Sequence, residues 1–66
     1  MQPEERQAKL EAYLQKVEFS SLEDLAQTVD VSISTVRRDL AVLEANRSVR
    51  RTHGGARTLQ PKTDEF

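Results

Sequence analysis

The chain has 66 residues, no cysteine, one histidine (His53), two glycines and two prolines. This length allows one small domain with a modest core, so a simple and mostly helical fold is expected. The absence of cysteine excludes disulfides and thiolate metal sites, and one histidine excludes a multi-histidine site. The formal charge of −1 is unevenly spread: residues 1–36 carry three bases against seven acids, and residues 37–57 carry six arginines against two acids. Arginine suits bidentate contact with phosphate and guanine. On charge alone, a solvated basic face beside an acidic one fits equally well. No apolar run has the length of a membrane span, and the first ten residues, MQPEERQAKL, lack the apolar core of a signal peptide. The expected location is therefore the cytoplasm.

The spacing predicts a first helix from Pro3 to Lys16 or Val17. Pro3 suits the first helical position, and Glu4 and Glu5 complement the positive end of the helix dipole. Leu10, Tyr13, Leu14 and Val17 fall on one apolar stripe, with Ala8 and the stem of Arg6 beside it. Glu18-Phe19-Ser20 is too short for an independent strand and reads as a single pairing segment, with Phe19 plugging the core. Ser21 is then the N-cap of a second helix, in a sequence that resembles a capping box with Asp24 in the reciprocal position. Leu22, Leu25, Ala26 and Val29 form its stripe, and Ala26 admits close approach of another helix.

Asp30-Val31 reads as a turn, with Asp30 tolerating the left-handed conformation and Val31 pointing inward. Ser32 caps a third helix from Ile33 to about Ala45. Two short helices joined this way describe a helix-turn-helix. At 100° per residue, Ile33, Val36, Leu40 and Leu43 make the buried stripe of the third helix. Ser34, Arg38, Ala41 and Ala45 lie opposite, flanked by Thr35 and Val42 on one side and by Arg37 and Glu44 on the other. Small residues there let the backbone approach a major groove, and Arg38 can reach a base edge or phosphate. Asp39 lies nearer the buried stripe, where it is expected to orient an arginine or cap a neighbour. The start of this helix carries no acid, so its amides and hydroxyls are available to phosphate oxygens.

Beyond Ala45 the helix should exit through Asn46, the expected site of a positive φ. Val49 to Thr52 and Ala56 to Leu59 read as two strands, and His53-Gly54-Gly55 as a tight turn in which adjacent glycines supply positive φ angles. Val49 and Leu59 should tuck under, leaving Arg50, Arg51, His53 and Arg57 near the surface.

These residues carry a family resemblance. The run Thr35-Val36-Arg37-Arg38-Asp39-Leu40, then Leu43-Glu44 and Arg51-Thr52-His53-Gly54-Gly55-Ala56, resembles the N-terminal domain of the DeoR family of bacterial transcriptional regulators over residues 6–56. The resemblance implies a mainly α (α+β) winged helix-turn-helix: three helices plus a small antiparallel β-hairpin wing over residues 1–59, with residues 60–66 a tail or linker. It implies Ile33–Ala45 as the recognition helix. It also implies a C-terminal domain outside this chain that binds a sugar phosphate and oligomerises, in a regulator that represses sugar-metabolism genes. Two positions depart from the pattern. Asp30 stands where the family often has Gly, and Arg47 where it usually has Gly. The second departure leaves three outcomes open: a positive φ shifted to Asn46, an altered exit into the wing, or an added phosphate contact.

The expected partner is double-stranded operator DNA. The expected contacts are Ser32, Ser34, Thr35, Arg37, Arg38, Ala41, Arg47, Arg50, Arg51, His53, Gly54 and Arg57, with Arg38 the better base reader and Arg37 the better backbone contact. No catalytic residue, metal or cofactor is expected: no nucleophile–base pair, carboxylate pair or phosphate loop is present. A winged-helix module that docks another protein is the alternative. It would show bulky apolar residues on the third helix's outward face, where this sequence has Ser34, Thr35, Arg38 and alanines.

Overall fold

The first helix begins where the sequence satisfies its free amides. The computed structural model describes residues 2–60; in it, α1 (Pro3–Val17) follows an extended Gln2 whose backbone N–H donates to Glu5 Oε1 at 3.2 Å. Pro3 removes one amide that would otherwise lack a partner, and Glu4 and Glu5 face the positive end of the dipole. Leu10 and Leu14 are fully buried and Tyr13 packs at the edge of the core. Val17, expected as the fourth member of that stripe, is 39% exposed. The helix ends at Val17, and Glu18 takes φ 72°, turning the chain away before another turn can cover it.

The short segment that follows is strand β1 (Phe19–Ser21). Its faces are the reverse of the expectation: Ser20 is buried and Phe19 is 53% exposed. The register explains this. Ser20 pairs with Ala56 on the side facing the helices, and Phe19 pairs with Arg57 on the other. Ser21 closes the strand and caps α2 (Leu22–Val29), its Oγ accepting from the Asp24 amide at 3.1 Å. Leu25, Ala26 and Val29 are buried.

Asp30 adopts the left-handed conformation as expected, at φ 58° and ψ 50°. The amides of Asp30 and Val31 bond back to the carbonyls of Gln27 and Ala26. This is the Schellman closure, in which one left-handed residue lets two amides satisfy the last carbonyls. Val31 packs against the core, and Ser32 caps α3 (Ile33–Ala45), accepting from the Thr35 amide at 3.2 Å. Val36, Leu40 and Leu43 complete the shared core with Leu10, Leu14, Leu25 and Val49.

The exit from α3 corrects the expectation for Asn46. Asn46 stays at φ −86°, and Arg47 takes the positive angle, φ 63°. The closure is again of the Schellman kind, with the Arg47 amide donating to Glu44 O and the Ser48 amide to Leu43 O, both at 2.9 Å. That pattern places the left-handed residue immediately before Ser48, which is position 47. A non-glycine residue there costs about 1 kcal/mol or more.

Strands β2 (Val49–Thr52) and β3 (Gly55–Thr58) form the expected hairpin, and β1 adds to its far side. The result is a three-stranded antiparallel sheet in the order β1-β3-β2. In the turn only Gly54 has a positive φ, at 83°. Gly55 is required for a different reason: a Cβ there would lie 2.3 Å from the Ser20 carbonyl oxygen, so the close approach of β1 excludes any side chain. Leu59, expected to tuck under, is 48% exposed, and Thr58 takes the buried place opposite Val49. Within residues 60–66, expected as a tail or linker, residues 61–66 lie outside the described residues.

Candidate nucleic-acid interface

The inner stripe of α3 is fixed by the core, so its opposite side is fixed as well. Ser34, Arg38, Ala41 and Ala45 are all exposed there, and Arg37 is exposed beside them. The flank formed by Thr35 is half-buried, and its hydroxyl lies 3.1 Å from that of Ser32. These two hydroxyls sit at the N-terminal turn, which has no acidic residue; the first turn of α2, by contrast, holds Glu23 and Asp24. Anions are therefore favoured at the start of α3 and disfavoured at the start of α2.

The wing residues divide into two groups. Arg50 and Arg57 pair directly across β2 and β3, both exposed, in the same row as Phe19. Like charges placed opposite one another repel, so this row favours an anion. Arg51 pairs with Ala56 and points to the helix side. Its Nε donates to Glu44 Oε1 at 2.8 Å, and its backbone amide donates to Glu44 Oε2 at 3.2 Å. Those bonds, the side-chain one foremost, hold the Glu44 carboxyl below its ordinary value. Arg51 is thus balanced by a carboxylate from α3. Arg37, Arg38, Arg47, Arg50 and Arg57 form no salt bridge among the described residues. His53 and Gly54 are exposed at the wing tip, and Arg47 is exposed at the joint between α3 and the wing.

Between α3 and the wing lies an open cleft of about 410 Å³, lined by Arg37, Glu44, Arg51, Thr52, His53 and Gly54 among others. The third helix and the hairpin therefore share one concave surface. The expected residues Arg37, Arg51, His53 and Gly54 meet there, whereas Arg50 and Arg57 lie on the outer face of the sheet.

One contact is absent from the expected site. Asp39 is only 2% exposed. Its carboxylate accepts from Arg6 Nε, from Arg6 Nη2 at 3.1 Å and from Gln7 Nε2 at 3.2 Å. Burial opposes the charge, but the hydrogen bonds from Arg6 and Gln7 outweigh it and keep the carboxyl below its ordinary value. The arginine that Asp39 orients is therefore Arg6, 33 residues earlier. A faint signal existed: Arg6 lies one helical turn before Leu10, on the same side of α1. Among the described residues no group of three or more His, Asp or Glu could hold a metal ion, and no helix is long and apolar enough to cross a membrane.

Two helices joined by a three-residue turn, followed by a hairpin that shares a cleft with the second of them, define a winged helix-turn-helix domain. The DeoR-like helix-turn-helix domain model matches residues 6–62, and the chain belongs to that family. It is 40% identical over 60 residues to the HTH-type transcriptional regulator GolR of Listeria innocua serovar 6a, an alignment covering 91% of this chain and 24% of that protein. It is 36% identical over 62 residues to the transcriptional repressor AccR of Agrobacterium fabrum, covering 94% of this chain and 24% of that protein. The chain thus spans about a quarter of the length of these relatives. No solved structure gives a significant match. The chain is therefore a DeoR-like helix-turn-helix domain.

Proposed function

We propose that Ile33–Ala45 enters the major groove of a double-stranded operator while the wing grips the flanking backbone. Arg38 reads a base edge, with Ser34 and Ala41 allowing close approach. Ser32, Thr35 and Arg37 contact phosphates beside the groove, and Arg47, Arg50, Arg51, His53, Gly54 and Arg57 supply the backbone contacts of the wing. The observation that carries this reading is the outward face of α3, where exposed Ser34, Arg38, Ala41 and Ala45 stand opposite the buried Val36, Leu40 and Leu43. In the whole protein this domain acts in the cytoplasm as a repressor of a sugar-metabolism operon. A C-terminal domain outside this chain brings two or more copies together and releases the DNA when it binds a sugar phosphate. The repressor name of one relative, AccR, supports the direction of regulation.

Fluorescence anisotropy with duplex DNA between 50 and 200 mM salt tests the core of this reading. Each phosphate contact should add about 0.9 to the log–log salt slope. Arg38→Ala should weaken binding to a selected site by about 1–3 kcal/mol and relax its sequence preference. Equal binding of selected and random duplexes by Arg38→Ala and the unaltered chain alike would remove α3 as the reading element. For regulation, sugar phosphates added to the full-length protein on its operator should release it.

A further inference from the structure

The apolar core fixes which face of α3 is buried, but it sets small rotations and slides of the helix less sharply. Contacts among Val36, Leu40, Leu43, Leu10 and Leu14 are non-directional, and such packing tolerates small turns or slides of a helix. A guanidinium–carboxylate pair with two hydrogen bonds is directional. Asp39 makes such a pair at mid-helix, buried, with both partners drawn from the first two turns of α1. It follows Arg38 immediately, so the two side chains are fixed about 100° apart around the axis. Holding Asp39 against Arg6 and Gln7 thereby sets the direction in which Arg38 leaves the helix.

We infer that Asp39, clamped by Arg6 and Gln7, is a positioning residue that sets the rotation and height of the recognition helix and so governs sequence discrimination without touching DNA. This deepens the DNA-reading proposal and rests on it. Most of the proposed phosphate contacts are made by arginines, whose long flexible side chains tolerate a small rotation of the helix. Base-edge hydrogen bonds do not, because they need aligned donors and acceptors. The clamp therefore separates two quantities: affinity for any duplex, and preference for one sequence.

The test uses the 66-residue chain, a duplex selected by that chain from a randomised pool, and a random duplex of equal length. Two variants preserve the fold by different means. Arg6→Lys keeps the charge but loses the fork that engages both carboxylate oxygens. The double variant Arg6→Met with Asp39→Leu replaces the ion pair by apolar groups of similar size, which leaves no buried charge unpaired. Circular dichroism should show both folded. Random-duplex affinity and its salt slope should stay within a factor of two of the unaltered chain. The ratio of selected to random affinity should fall about tenfold in the double variant, the worth of one mismatched base pair, and by a smaller factor in Arg6→Lys. An unchanged ratio in the folded double variant overturns the positioning role. Failure of the unaltered chain to bind any duplex overturns the DNA-reading proposal itself, which the unaltered chain's salt slope reports separately.

Discussion

Two arginine–carboxylate pairs hold α3, and they differ in kind. Asp39–Arg6 joins its middle to α1, with side chains 3% and 15% exposed; Glu44–Arg51 joins its end to the wing, with side chains 36% and 49% exposed. The first is shielded, supported by Gln7 and aimed from one direction. The second is open to water and salt, where such pairs contribute little. The third helix is therefore rigidly referenced to the helical body. The wing hangs on backbone bonds and packing, and its ion pair adds orientation more than strength.

The largest effect should come from breaking the buried pair on one side only. Asp39→Leu alone leaves the half-buried Arg6 guanidinium without its carboxylate and should destabilise the domain more than any other single change considered. A chain of this size has a total stability of about 3–10 kcal/mol, so thermal melting should show a large drop or outright unfolding. A melting temperature within a few degrees of the unaltered chain would mean that the pair is already solvated. The pH dependence follows from the same residue. The Asp39 carboxyl is held below its ordinary value, so its contribution is fully present above the unfolded carboxyl range. It is lost as pH falls through the lower folded value. Acid titration of the unaltered chain should show this loss, and the apolar double variant should lose less stability over the same interval.

A smaller effect is expected at the joint between the two regions. Arg47→Gly relieves a left-handed residue at φ 63° and should raise stability by about 1 kcal/mol in urea denaturation. It also deletes an exposed cation, so the salt slope of duplex binding should fall if Arg47 touches phosphate. The smallest effect on folding should come from the open pair. Glu44→Gln removes a carboxylate from the cleft beside Arg37 and Arg51, leaving the melting temperature nearly unchanged. Duplex affinity should rise at low salt, and a fall instead would show that Glu44 serves DNA by holding Arg51 in place.

The parts legible in the sequence were those set by local rules. The three helices, the caps at Ser21 and Ser32, the left-handed Asp30 and the hairpin around Gly54 each follow from a few neighbouring residues. The outward face of α3 followed from its period. What escaped was set by pairing across the chain. The faces of Phe19 and Leu59 depend on sheet register, where a shift of one residue exchanges inside for outside. Asn46 is the better left-handed residue by type, yet the bond from Ser48 to Leu43 places that conformation at Arg47. The need for Gly55 is visible only once the Ser20 carbonyl lies against it. Arg6 and Asp39 stand too far apart in sequence for spacing to join them, although the inward position of Asp39 was readable.

The bond from the Leu22 amide to the Gly54 carbonyl, at 3.0 Å, ties the tip of the wing to the first residue of α2. With the pairing of Ser21 and Gly55 beside it, the hairpin and the helix-turn-helix form one preorganised body. The entropy of ordering the wing is then spent during folding and is not charged against association. Duplex binding should accordingly lack the large negative heat-capacity change that accompanies coupled folding. What remains to oppose binding is loss of rigid-body freedom and side-chain motion, so the sequence selectivity proposed for this domain rests on geometry fixed before DNA arrives.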